Sequence, residues 1–245
     1  ESLGAAYDLV VCHGGDGTLN ETVNGVMRIP REYRPLVSYL PGGSTNDFAA
    51  SHGLSTDIIE AAEHIASGYS TRYDIGCFGG RHFTYVAAFG AFSWLSYTTD
   101  QNMKNVLGHT AYILDAIKDL YKIKPLHMKV TADGVTHEDD YIFGAICNTT
   151  SVAGTITLPA AMVDTADGVF EVLLVKMPKT MLELDMIIRG LLSQDYSCPN
   201  IDLFQAKELD IENPPELEWS LDGEASGVMD KAHVSVIPRF LNLRG

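Results

Sequence analysis

The feature that most constrains this chain is a glycine-rich turn between a predicted strand, Leu9 to Cys12, and a predicted helix. The turn reads Gly14-Gly15-Asp16-Gly17-Thr18-Leu19-Asn20-Glu21. Glycine permits positive φ angles and close approach of a ligand, and the amides at a helix start bind anions. The turn therefore predicts a phosphate site, with Asp16 joined to the phosphates by a divalent cation. A plain strand-to-helix turn with a solvated Asp16 explains these eight residues equally well.

The start of the helix carries a signal of its own. Thr18 and Glu21 have the spacing of a capping box, in which each side chain accepts a hydrogen bond from the other residue's amide. Apolar residues then recur at helical spacing as far as Met27. The segment is not a P-loop, because no Gly-Lys-Ser/Thr follows, and it is not Gly-x-Gly-x-x-Gly.

A second turn of similar composition follows the next predicted strand, Leu36 to Leu40. It reads Pro41-Gly42-Gly43-Ser44-Thr45-Asn46-Asp47-Phe48 and leads into another predicted helix. Ser44 and Asp47 have capping spacing, so a plain helix start explains this turn taken alone. Strands that alternate with helices run parallel, and their carboxyl ends meet at one edge of the sheet. The two turns therefore predict one shared nucleotide site, and His13 beside them either touches the ligand or packs locally.

The second half of the chain has the pattern of antiparallel strands. Asp133 and Gly134 form a predicted hairpin turn, and short apolar strands continue to residue 237. Two acidic loops stand out, 164–169 and 220–224, and an ordinary hairpin tip is the simplest interpretation of each. Glu224 would act as a general base if the fold returned it to the first turn. The fold class is thus α/β, with parallel strands in the first part and a β-rich antiparallel second part.

Composition limits the classes of ligand and the cellular environments that the chain fits. The formal net charge of −15 disfavours nucleic acid, which needs basic surface. The four cysteines contain no Cys-x-x-Cys pair and fit reduced thiols in a cytoplasm. No apolar run approaches the ~20 residues that span a bilayer, and the first residues do not resemble a signal peptide. The chain starts without Met, so we expect it to be a piece of a longer one.

Taken together, the two turns and the two acidic loops resemble the bacterial diacylglycerol kinase family of soluble lipid kinases. Gly-Gly-Asp-Gly-Thr-Leu-Asn-Glu and Pro-Gly-Gly-Ser-Thr-Asn-Asp-Phe-Ala are followed by Asp167-Gly168 and by Leu221-Asp222-Gly223-Glu224 in the family's order. The likeness covers nearly the whole chain, and the family is related to sphingosine kinases and NAD kinases. The resemblance implies an incomplete, Rossmann-like three-layer α/β domain that binds ATP at 1–72, completed by 234–245, and a β-sandwich-like lipid-substrate domain at 73–233.

The resemblance also implies site residues and cofactors. ATP and Mg²⁺ are the expected cofactors, and a lipid alcohol, first of all diacylglycerol, is the expected acceptor. Glu224, Asp16 and Asp47 are the expected catalytic residues, with Asp16 and Asp47 holding the catalytic magnesium. The expected ATP contacts are Gly14, Gly15, Asp16, Gly17, Thr18, Leu19, Asn20, Glu21, Ser44 and Thr45. A structural magnesium, away from the cleft, is expected on the Asp167 carboxylate and on the carbonyls of Asp164 and Val169.

Some expectations concern surfaces and alternatives. A groove for the lipid chains would be lined by residues 89–95 and a predicted helix over 106–121, although ordinary core is the simpler role for each residue. Transient contact with a membrane surface and a homodimer are further expectations. The chain departs from the family in lacking the glycine-rich segment before the first turn, in Gly42 and in Ser44. A non-catalytic lipid- or nucleotide-binding module, or a kinase of a soluble acceptor such as NAD, therefore stays open.

Overall fold

The computed structural model describes residues 7–44, 46–68, 70–90, 124–152, 156–215 and 217–244. Its first part alternates strands and helices: β1 (Leu9–Gly14), α1 (Asp16–Met27), a 3₁₀ turn (Arg31–Tyr33), β2 (Leu36–Pro41), α2 (Asp47–Ser51) and α3 (Ile58–Ser67). The strands that follow are β3 (Ser70–Phe78), β4 (Arg81–Phe83), β5 (Val86–Gly90), β6 (Leu126–Ala132), β7 (Val135–Cys147), β8 (Ser151–Val152), β9 (Ile156–Thr157) and β10 (Phe170–Lys176). After helix α4 (Met181–Ser193) come β11 (Ile201–Ala206), β12 (Glu208–Glu212), β13 (Glu218–Leu221), β14 (Glu224–Val228) and β15 (Lys231–Arg244).

The first part has the parallel arrangement that the sequence predicts. β1 and β2 pair in parallel, from Leu9 opposite Leu36 to Gly14 opposite Pro41. The crossover helix α1 buries Leu19 against the sheet, which gives the predicted apolar face its partner. Because both strands end at the same edge, the two glycine-rich turns lie side by side there.

Both predicted helix caps are wrong. α1 begins at Asp16 with Gly15 as its N-cap, so Thr18 lies inside the first turn and cannot cap it. α2 begins at Asp47, and its N-cap is Asn46 rather than Ser44. The sequence pattern of a small polar residue followed by an acid three positions later is present at both helix starts, but neither pair forms a cap. The start of α2 is capped by the carboxylate of Asp16, which belongs to α1.

The second part is antiparallel, as predicted. The hairpin between β6 and β7 turns at Asp133 and Gly134, whose φ angles of 46° and 87° are those of a type I′ turn. β15 connects the two parts, because it pairs antiparallel with β3 and β12 and parallel with β2. Leu243 pairs with Val37 of β2, and Asn242 pairs with Arg72 of β3, so the end of β15 pairs with residues of the expected first domain.

The core of the second part is aromatic. Trp219 is almost fully buried, and its ring lies 4.9 Å from that of Phe78 and 4.7 Å from that of Phe89, measured between centroids. Phe89 is therefore core, the simpler of the two roles considered for it. The rest of the predicted lipid groove, 91–95 and 106–121, lies outside the described residues. In the described part of the chain, no helix is long and apolar enough to cross a membrane.

Candidate active site

The two glycine-rich turns pack backbone against backbone. A Cβ atom on Gly43 would lie 2.5 Å from the Cα of Gly15, and one on Gly15 would lie 3.2 Å from the Cα of Gly43. Neither residue has a positive φ angle. Of the two uses of glycine considered from the sequence, close approach is therefore the one that applies here.

Asn46 closes the second turn. Its φ angle of 53° lies in the left-handed region, which Asn tolerates better than most residues. Its side chain oxygen accepts the amide of Gly43 at 2.9 Å, and its side chain nitrogen donates to the carbonyl of Gly43 at 2.8 Å. The amide of Gly43 is thus hydrogen-bonded within the protein and is not open to a ligand.

Asp16 joins the first turn to the second. Its Oδ2 accepts the amide of Asp47 at 3.0 Å, and its Oδ1 accepts the amide of Phe48 at 3.2 Å. These are the first two amides of α2, which have no acceptor within their own helix. Asp16 therefore acts as a cap supplied from another element, and this explains why α2 needs no side-chain cap of its own.

Asp47 lies where the two halves of the chain meet. It is buried, and Ser151 donates a long hydrogen bond of 3.4 Å to its Oδ1. At the end of α2, the hydroxyl of Ser51 bonds that of Thr149. Ser151 and Thr149 belong to the antiparallel half, so the second turn is held from both sides.

The N-terminus of α1, in contrast, is open. Helical geometry leaves the amides of Asp16, Gly17 and Thr18 without an intrahelical acceptor. Within the part of the chain that the structure describes, no side chain caps this end. Free amides and the positive end of the helix dipole together favour an anion such as phosphate.

Glu224 lies against this open helix end. A Cβ atom on Gly17 would lie 3.2 Å from Oε1 of Glu224, a tight contact, so glycine leaves more room for the carboxylate there. Glu224 is the first residue of β14 and follows a two-residue turn at Asp222 and Gly223, whose φ angles are 51° and 91°. The fold thus brings Glu224 to the first turn, more than 200 residues away along the chain.

Asp222 anchors the turn that presents Glu224. Its buried carboxylate accepts hydrogen bonds from the amides of Thr84, Tyr85 and Val86, from the Thr84 hydroxyl, and from Asn20 Nδ2 at 2.7 Å. Burial raises the pKa of Asp222, while these donors oppose that rise. Asp222 ties α1, β5 and the hairpin together and so fixes the position of Glu224. The sequence pattern offered only a hairpin tip here.

Of the remaining expected ATP contacts, two have buried side chains and two have exposed side chains. Leu19 is fully buried in the core, and Asn20 is turned inward to Asp222, so their side chains position α1 rather than face the turn. Glu21 and Ser44 are exposed. Thr45 lies outside the described residues.

His13 and Gly42 fit each other. A Cβ atom on Gly42 would lie 2.6 Å from Cε1 of His13, and Nδ1 of His13 lies 3.1 Å from the carbonyl oxygen of Leu40. Of the two roles considered for His13, local packing is the one that the structure supports. Gly42, the first departure from the family pattern in this turn, makes room for that imidazole.

The site is rich in carboxylates and suits a hard cation. Burial raises the pKa of Tyr85, and the charges of Asp222, Asp16 and Asp47 raise it further. Both oxygens of Asp16 keep an acceptor position, since a carboxylate has about four lone-pair sites. Within the described residues, no three acidic, histidine or cysteine side chains could hold a metal by themselves. Magnesium in kinases is held by one or two carboxylates plus substrate phosphates, so these residues fit it.

The expected structural magnesium loop is self-bonded. Asp164 Oδ1 accepts the amide of Ala166 at 3.0 Å, and Asp167 Oδ1 accepts that of Val169 at 3.1 Å. Burial raises the pKa of Asp167, and the charges of Asp164 and Asp74 add to the rise.

Asp74 is a residue that the sequence did not single out. It is fully buried and accepts the amide of Gly168 at 2.6 Å, which fixes the loop against β3. The Asp167 carboxylate and the carbonyls of Asp164 and Val169 are oxygen ligands of the kind that magnesium takes.

Comparisons with known proteins found similar sequences over nearly the whole chain. Residues 1–78 match the family described as diacylglycerol kinase catalytic domain, and residues 92–245 match the YegS C-terminal NAD kinase beta sandwich-like domain. A diacylglycerol kinase of Staphylococcus saprophyticus is 31% identical over 248 residues, covering 99% of this chain and 76% of the relative. One from Staphylococcus aureus is 32% identical over 242 residues, covering 97% of this chain and 72% of the relative.

Two solved structures share the fold. A diacylglycerol kinase from Bacillus anthracis superimposes with a TM-score of 0.73 at 24% identity, covering 99% of this chain and 78% of that one. An NAD kinase from Archaeoglobus fulgidus in complex with ATP superimposes with a TM-score of 0.55 at 10% identity, covering 98% of this chain and 79% of that one. At these identities the likeness is one of architecture.

Proposed function

Because this chain belongs to the diacylglycerol kinase family, we propose that it transfers the terminal phosphoryl group of ATP to the hydroxyl group of diacylglycerol. The products are ADP and phosphatidic acid. The observation that carries the proposal is the carboxylate of Glu224 beside Gly17, at the open N-terminus of α1. A base beside an anion-binding helix end is what transfer of a phosphoryl group to an alcohol requires.

The reaction is a single displacement. The lipid hydroxyl oxygen bonds to the γ-phosphorus while the bond from that phosphorus to the bridging oxygen of ADP breaks. Glu224 accepts the hydroxyl proton, and ADP leaves with the bridging oxygen. Gly17 supports this role, because the absence of a side chain leaves space for both Glu224 and the phosphates.

The other site residues position the nucleotide. The open amides of Asp16, Gly17 and Thr18 would bind phosphate oxygens. Asp16 and Asp47 would hold the catalytic magnesium, which offsets the charge of the phosphates when bound. Asp222 is a positioning residue, since it acts only by fixing the hairpin of Glu224.

Transfer of radiolabel from ATP to candidate acceptors tests the proposal. We expect label in diacylglycerol, and a loss of about 100-fold to 10,000-fold in Glu224→Gln, the range for removal of a general base. Glu218→Gln is the matched control, because Glu218 is an exposed acid on the same hairpin. Label in NAD but in no lipid would favour the soluble-acceptor alternative, and label in no acceptor from a folded protein would favour a binding module.

A second magnesium and a membrane contact are further parts of the proposal. The Asp167 carboxylate and the carbonyls of Asp164 and Val169 would hold the structural ion, and the charges around Asp167 support a cation there. Magnesium should then raise the melting temperature of the wild type more than that of Asp167→Asn. Because diacylglycerol resides in bilayers, we also propose that the protein acts from the cytoplasm in transient contact with a membrane surface.

A further inference from the structure

An arginine-lined groove opens at the end of the sheet opposite the glycine-rich turns. It has a volume of about 410 Å³, within the roughly 300–1,000 Å³ of small-molecule pockets. Its walls are the second half of α1, the segment that leads into β2, and residues 237–241 of β15. The first groove residue on α1, Val23, lies seven residues after Asp16, so at 1.5 Å per residue about 10 Å of helix separates the groove from the open helix end.

Positive charge is concentrated at this groove. Four of the chain's eight arginines line it, although the chain as a whole carries a formal charge of −15. They come from three separate segments, the one before β2, β3 and β15, and are Arg31, Arg34, Arg72 and Arg239. The fold, rather than a basic stretch of sequence, brings them together.

These arginines lack acidic partners. Within the described residues, no carboxylate forms an ion pair with any of the four guanidinium groups. Glu32 is the nearby acid, and it is exposed. Burial lowers the pKa of Arg34, the charge of Arg31 lowers it further, and Glu32 offsets only part of this. The groove therefore holds positive charges that repel one another.

Neutral groups fix two of the guanidinium groups in place. Arg34 donates from Nε to the carbonyl of Ile29 at 2.7 Å and from Nη2 to that of Met27 at 2.9 Å, and its guanidinium lies 4.5 Å from the ring centroid of Phe240. Arg239 donates from Nε to the carbonyl of Ala166 at 3.2 Å. A guanidinium has five N–H donors, so both retain donors for a ligand.

We propose that this groove binds a phosphate group that carries two or more negative charges, either from a lipid headgroup or from a soluble phosphate. The planar fork of arginine matches phosphate oxygens two at a time. A multiply charged anion would also relieve the repulsion among the four guanidinium groups. The site is distinct from the proposed catalytic cleft and does not depend on it.

Calorimetric titration of the whole chain with inorganic pyrophosphate, in EDTA, is the first experiment. Without magnesium the carboxylates of the cleft repel pyrophosphate, so the groove dominates the signal. Arg31→Gln combined with Arg72→Gln is the test variant, because both side chains are exposed and neither has a hydrogen bond in the described structure. Lys179→Gln combined with Lys231→Gln is the matched control, because it removes the same two positive charges from exposed positions outside the groove.

Flotation with phosphatidylcholine vesicles, with and without phosphatidic acid, is the second experiment on the same variants. We expect the arginine variant to bind pyrophosphate at least about tenfold more weakly than the wild type and the lysine control. Loss confined to pyrophosphate identifies a soluble ligand, and loss confined to vesicles with phosphatidic acid identifies a lipid headgroup. Equal binding of wild type and arginine variant in both experiments, or binding in neither, overturns the proposal.

Discussion

The two glycine-rich turns look alike in sequence and use their amides in opposite ways. In the second turn, Asn46 takes the amide of Gly43, and Asp16 takes the amides of Asp47 and Phe48. In the first turn, the amides at the start of α1 have no acceptor within their own helix, and no side chain in the described part of the chain caps them. We call the second turn a brace, because its amides are bonded within the protein, and the first a receiving turn, because its amides are open to a ligand. Gly15 and Gly43 pack closely, so the second turn supports the backbone of the first.

Asp16→Asn should have the largest effect, because Asp16 serves both turns. The substituted amide keeps one acceptor oxygen and turns an N–H donor toward the other α2 amide. We expect near-total loss of phosphoryl transfer and a free energy of unfolding lower by about 2 kcal/mol. Activity assays and urea denaturation measure the two effects, with Asp8→Asn, an exposed acid before β1, as the control. Unchanged stability in Asp16→Asn would contradict its bracing of α2.

Gly43→Ala should have the next largest effect. The added methyl group would lie 2.5 Å from backbone of the first turn and 2.8 Å from Oδ1 of Asn46, so one of the two must move. We expect a loss of about 3 kcal/mol in the free energy of unfolding, the upper part of the overpacking range. Gly25→Ala in α1 is the matched control, because its Cβ would meet nothing within 4 Å, and it should gain about 0.5–1 kcal/mol. Equal effects of the two substitutions would mean that the turns do not touch.

His52 should make the brace sensitive to acid. Its ring stacks on that of Phe48, with centroids 4.0 Å apart. Burial lowers the pKa of His52 to about 4, although its hydrogen bond with the Phe48 carbonyl raises the pKa in part. The unfolded chain, with a pKa of 6.5, then binds the proton more tightly than the folded chain does. Stability from this residue is full above pH 6.5 and is lost as pH falls toward 4. Between about pH 7.5 and about pH 5 the loss is about 2 kcal/mol.

His52→Phe is the variant that isolates this effect. Phenylalanine keeps an aromatic ring against Phe48 but does not titrate, so the difference in unfolding free energy between the variant and the wild type should change with pH. Urea denaturation at several pH values measures it. The same pH slope in both proteins would show that His52 is not the group responsible.

Local sequence signals predicted the local structure well. Strands β1 and β2 and the hairpin at Asp133 and Gly134 follow from apolar runs and turn residues, which act over a few residues. The start of β3 at Ser70 has no signal in the sequence, because its first residues are polar and exposed and give no strand pattern. The capping patterns failed because they are common, and because the true partner of α2 lies on another element.

The long-range parts of the site could not be predicted from residue patterns. Asp222 binds the amides of Thr84 and Tyr85, which lie more than 130 residues before it, and no local pattern distinguishes such an anchor from a hairpin tip. The position of Glu224 beside Gly17 depends on that anchor. Resemblance to the family supplied Glu224 as a candidate base, and only the fold supplied the reason why it reaches the first turn.

Hydrogen exchange of single amides, followed by NMR with and without Mg-ADP, tests the contrast between the turns most directly. Hydrogen-bonded amides exchange slowly, and open ones exchange fast. We predict fast exchange at Gly17 and Thr18 that slows by on the order of tenfold or more when Mg-ADP is added. The amides of Asp47 and Phe48 should be slow in both conditions. Slow exchange at Gly17 without nucleotide, or fast exchange at Asp47, would contradict the division into a receiving turn and a brace.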